Sequence, residues 1–141
     1  MSRLKRLATV LRAGVALSGA LAAAQSGLAA SPTDAEIAYL MKQLKASSCQ
    51  FDRNGSVHNA DEAVSHLQKK HAYMSSRVQQ MTTEAFITEA ASQSSISGQP
   101  YWVRCPGQLP MESKTWLMRE LARYRAAAKA ESAPVSNSPA K

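Results

Sequence analysis

The chain has 141 residues, 45% hydrophobic and only 6% aromatic, with two cysteines and a formal net charge of +7. Arg3, Lys5, Arg6 and Arg12 crowd the N-terminus, and +7 less these four leaves +3 for the remainder. That excess is too small for the basic stripe a nucleic-acid partner requires, and the length suits one folded domain.

Those basic residues precede an Ala/Leu/Val-rich run, Ala13 to Ala24, then small residues up to Ser31, with no acid before Asp34. A basic start, a short apolar run and a small-residue exit are the order of a Sec signal peptide. We expect residues 1–30 to be that signal, cleaved near Ala29 with Ala24 the alternative, and a periplasmic or secreted protein. A mitochondrial transit peptide is also acid-poor, but the Ala-rich run and small-residue exit favour export. The apolar run is about a dozen residues, short of the ~20 that span a bilayer, so no stable membrane insertion is expected after cleavage. No cysteine precedes Cys49, which leaves no site for a lipid anchor.

In the folded part, Thr33-x-x-Glu36 reads as a capping box opening a helix through about Ala46, with Ile37, Leu40, Met41 and Leu44 as its apolar stripe. Two strands, Cys49 to Arg53 and Ser56 to His58, flank Asn54-Gly55, the pair that tolerates a type I′ hairpin turn. Asn59-x-x-Glu62 caps a second helix to about Gln79, striped by Val64, Leu67, His71, Met74 and Val78. Thr82 or Thr83 caps a third, short helix carrying Phe86, Ile87, Ala90 and Ala91. Ser94 to Pro100 is a loop by composition. A strand from Tyr101 to Cys105 follows, then a Pro-Gly turn region. The last helix is capped at Ser113, with Trp116, Leu117, Leu121 and Tyr124 inward and Arg119, Arg123 and Arg125 outward. Residues 126–141, rich in Ala, Ser and Pro, read as a disordered tail.

The expected fold is therefore α+β over residues 31–125: four helices packed on a small three-stranded antiparallel sheet, in the order α-β-β-α-α-β-α. Strand alternation puts Cys49 and Phe51 on one face, and Tyr101, Val103 and Cys105 on another shared face. Two cysteines on apolar faces in an oxidising compartment predict a Cys49–Cys105 disulfide, worth about 4 kcal/mol by loop closure.

Several segments together resemble a known group of sequences. They are EIAYL (Glu36 to Leu40), CQFDRNG (Cys49 to Gly55), AVSHLQKK (Ala63 to Lys70), SSISGQPYWVRC (Ser94 to Cys105) and WLMRELARYR (Trp116 to Arg125). The chain resembles a "domain of unknown function" family of small exported proteobacterial proteins. The resemblance implies a bacterial periplasmic or secreted protein with both cysteines in the family pattern, and it implies no activity.

No cofactor or metal is expected. His66 and His71 are five residues apart, about 140° round a helix, so they do not face one ion together. His71 reads as a partly buried stripe residue, and His58 sits at a strand end. The Ser94–Ser97 loop, with a histidine, is the one hydrolase alternative, although no acid–base partner is set by spacing. Glu112 and Glu120 could pair as glycosidase carboxylates, but nothing in the sequence sets their separation, and Glu120 reads as a surface charge near Arg123. The better candidate is a non-catalytic binding surface of Arg53, Asn54, Lys69, Ser97, Gln99, Trp102 and Arg104. It gathers polar, basic and aromatic residues near the hairpin, the serine loop and the sheet face opposite the core. An envelope protein or an anionic ligand suits it. A purely structural envelope protein is the third alternative.

Overall fold

In the computed structural model, residues 31–133 are described, so the expected signal segment and the last eight residues lie outside the description. Helix α1 (Pro32–Ala46) is capped by Ser31, two residues ahead of the expected cap at Thr33. Pro32 fits the first turn, where its missing N–H costs nothing, and the Ser31 hydroxyl oxygen accepts from the Asp34 amide. Thr33 and Glu36 are thereby freed for tertiary contacts: the Thr33 hydroxyl donates to the Met81 carbonyl, and Glu36 meets Thr83 and Arg125.

Strands β1 (Gln50–Arg53) and β2 (Ser56–His58) form the expected hairpin, with Asn54 at φ 54° and Gly55 at φ 78°, both left-handed as a type I′ turn needs. Strand β3 (Trp102–Arg104) pairs antiparallel with β1, and a fourth strand, β4 (Met111–Glu112), pairs with β3. The sheet is four-stranded, in the order β2-β1-β3-β4, rather than three-stranded. Two residues between Pro110 and a helix are too few to show an alternating pattern. Gln50 opposes Arg104, so the next positions outward are Cys49 and Cys105, which form the expected disulfide.

Helix α2 (Ala60–Tyr73) has the full Asn59/Glu62 capping box. It stops at Tyr73, not Gln79, and a single turn, α3 (Ser75–Val78), follows after a break at Met74. Met74 and Val78 are still buried, which is why the apolar stripe runs through a break that periodicity does not register. Thr82 caps α4 (Thr83–Phe86), which widens into a π-helical turn at Ile87–Ala91.

Helix α5 (Ser113–Ser132) has Glu112, not Ser113, at its N-cap, because the Ser113 amide donates to the Tyr101 carbonyl (2.8 Å) and the residue is buried. The helix continues seven residues beyond Arg125, into the segment expected to be a disordered tail. Ala, Lys and Glu propagate a helix without packing, and residues 126–132 are all exposed. Glu120 is buried beside Arg123 (2.9 Å) rather than a surface charge.

The helices cover one face of the sheet. Phe51 and Val103, directly opposed across β1 and β3, bury against Leu40, Leu44, Leu67 and Leu117. The other face carries Asp52 and its two cross-strand partners, Val57 and Trp102.

Candidate functional site

The open sheet face gathers part of the expected surface. Asp52 lies between Val57 and Trp102, and Trp102 in turn opposes Glu112. Trp102 is 37% exposed. Asn54, Gln99, Trp102 and Arg104 line one shallow groove together with Asp52 and Pro110. Arg104 is already neutralised there, its Nη2 standing 3.1 Å from Asp52 Oδ2. Ser97 also reaches this region, but its hydroxyl donates to Asn54 Oδ1 (2.8 Å). Ser94 Oγ accepts from the amides of Ile96 and Ser97, and from Asn54 Nδ2. The serine loop is thus a side-chain-tied turn docked on the hairpin. Among the described residues no histidine hydrogen-bonds to a serine hydroxyl, the pairing a Ser/His hydrolase needs.

Arg53 and Lys69 lie elsewhere. Alternation along β1 turns Arg53 to the helix-covered side with Phe51, where it meets α2. Arg53, His58, His66, Lys69 and Glu62 line a polar cleft between the hairpin and α2. Beside it lies an apolar cavity of about 50 Å³, walled by Leu44, Phe51, Ala63, Leu67, Ala90 and Leu117. Arg53, His58 and His66 line both spaces, so the cavity and the cleft adjoin.

The electrostatics of this junction are lopsided. Among the described residues, Arg53, Lys69 and Lys70 have no ion-pair partner. Lys70 Nζ instead donates to the Ala90 carbonyl (2.8 Å) and sits 5.3 Å from the centre of the Tyr101 ring. Burial, and then Arg53, lower the Lys70 pKa, while burial raises that of Tyr101. His66 drops to about 4, through burial first and then the charges of Arg53, Lys70, His58 and Lys69. Its Nε2 and that of His58 are buried without a hydrogen-bond partner. Glu62, one of the two acids lining the cleft, is engaged by His58 Nδ1 (3.5 Å) and by the Asn59 amide. His71 stands apart, half-buried between Asp34 (3.6 Å) and the Phe86 ring.

Sequence reasoning passed over His66, Lys70 and Tyr101 as site residues. A legible signal existed for two of them: His66 and Lys70 share a helix face at i, i+4, the face that α2 must turn toward Arg53 if Leu67 is core. Nothing in the spacing brings Tyr101 to them.

Residues 31–125 match a family of unknown function, DUF5329. The chain belongs to that family. A 51-residue stretch is 51% identical to "Uncharacterized protein YfeK" of Salmonella typhimurium, covering 36% of this chain and 41% of that protein. The chain's match thus spans well under two thirds of this curated relative. No solved structure matches the chain. Neither the family description nor the relative's name carries an activity, so the geometry of the cleft has to supply the functional reading.

Proposed function

We propose that this member of DUF5329 is an exported, non-catalytic binding module, periplasmic or secreted, that holds an anionic group of an envelope component in the cleft between the hairpin and α2. The observation that carries the reading is the convergence of Arg53, Lys69 and Lys70 on His66 with none of the three in an ion pair among the described residues, the cleft's Asp61 and Glu62 being engaged by Lys45 and His58. Like charges gathered in a partly desolvated site raise each other's cost, and an anion seated among them offsets it. Two buried ring nitrogens without partners add hydrogen-bonding capacity at the same place. Of the surface expected from sequence, Arg53 and Lys69 support this reading. Arg104 does not, because Asp52 already holds it.

The test is an NMR titration of the disulfide-bonded protein with acetate and, separately, inorganic phosphate. At least one anion should shift resonances of Arg53, His66 and Lys70, with binding at least tenfold weaker in an Arg53→Ala, Lys69→Ala double variant. Shifts spread evenly over the surface, or equal binding by the double variant, would remove the cleft from the account.

A further inference from the structure

The apolar end of the cleft restricts what the anion can be. Its volume, about 50 Å³, is a third of the ~150 Å³ that seats a benzene ring in an engineered protein cavity, which leaves room for about two or three carbon atoms. The walls are aliphatic and aromatic: Leu44, Phe51, Leu67, Ala90 and Leu117. Asp52, Tyr101 and Ser113 also border the cavity, and the groups it shares with the cleft are Arg53, His58 and His66. A ligand that fills both spaces has a short apolar end and an anionic end separated by about one bond.

We infer that the cleft takes a short aliphatic carboxylate, free or as the end group of a larger molecule, with its hydrocarbon in the cavity and its carboxylate at Arg53 and His66. This rests on the reading of the cleft as an anion site. A planar two-oxygen group matches the guanidinium fork, and its single charge is the smaller one to desolvate. Phosphate has no apolar end to place among Phe51, Leu67 and Leu117. Its second charge would also face Asp61 and Glu62, which line the outer cleft.

The prediction is read from a homologous series. Acetate, propionate, butyrate and hexanoate are titrated into the disulfide-bonded protein, with inorganic phosphate as the comparison, and dissociation constants are taken from the His66 and Leu67 resonances. Affinity should rise about fourfold for each methylene from acetate to butyrate and then stop rising at hexanoate. Phosphate should bind more weakly than butyrate. An Ala63→Leu variant fills the cavity from a half-buried helix position. It should lose the gain in affinity from acetate to butyrate. If phosphate binds as tightly as butyrate, or chain length has no effect in the unmodified protein, the carboxylate assignment is wrong although the anion site stands. If no probe perturbs the cleft, both fail together. An amide-linked propionyl group that binds as well as propionate would likewise refute it, because the carboxylate would then contribute nothing.

Discussion

At the scale of single residues, His66 is the group whose chemistry is most altered by its neighbours. Burial and four surrounding cationic or titratable groups all disfavour its imidazolium, which places its pKa at about 4. In the unfolded chain it returns to its ordinary value near 6.5, so the unfolded state binds the extra proton between those two values. Stability is therefore expected to fall as pH drops from about 6.5 toward 4, and a His66→Gln variant should flatten that part of a urea-midpoint profile. An identical slope in the variant would show that His66 is not the group responsible. Trp102 tests the opposite face. With over a third of its surface exposed, Trp102→Ala should cost within about 1 kcal/mol, whereas truncating buried Leu117 should cost about 2–5 kcal/mol. A large loss at Trp102 would mean that something covers the sheet's second face. Alternation along β3 made the outward direction of Trp102 and Arg104 legible in the sequence. It did not separate Arg53 from Asn54 and Trp102 into two sites, because that depends on which sheet face α2 occupies.

At the scale of elements, what can be read locally was read well. Asn54-Gly55 and the Asn59/Glu62 box are self-contained, each satisfied by atoms within four residues. The failures share a cause: a tertiary partner overrode a local signal. Thr33 and Glu36 match a capping box, but Glu36 is claimed by Arg125 from α5 and by Thr83 at the start of α4. Arg125 also reaches Glu84, so one guanidinium ties α5 to α1 and α4. It holds both carboxyls below their ordinary range, with the Arg125 hydrogen bond the largest cause for each. Because the folded pKa values are depressed, this contribution is fully present above the unfolded value near 4.5 and is lost as pH falls through the folded values. Arg125→Ala should cost about 1 kcal/mol at pH 7, these groups being partly solvated, with the gap from the unmodified protein closing below about pH 4. A gap that persists unchanged at pH 3 would point to lost packing of the arginine stem instead.

At the scale of the whole molecule, the disulfide and the cleft depend on the same pair of strands. Cys49–Cys105 closes the ends of β1 and β3, and β1 carries Arg53 at its far end while Tyr101 leads into β3. Reduction should lower stability by about 4 kcal/mol, less any folded-state strain, seen as a shift of the urea midpoint on adding reductant. Intact mass with and without reduction before alkylation should report no free thiol in the protein as isolated. The overall α+β plan was legible because hydrophobic period and turn chemistry agree along most of the chain. The cleft was not, because it is made where α2, the hairpin and the π-helical turn meet. The measurement that tests the central claim most directly is the pKa of His66, followed by NMR with and without saturating butyrate. A carboxylate seated beside the imidazole should raise it by about one unit or more, since an adjacent opposite charge favours the protonated ring. A His66 titration left where it was by saturating butyrate would contradict the account.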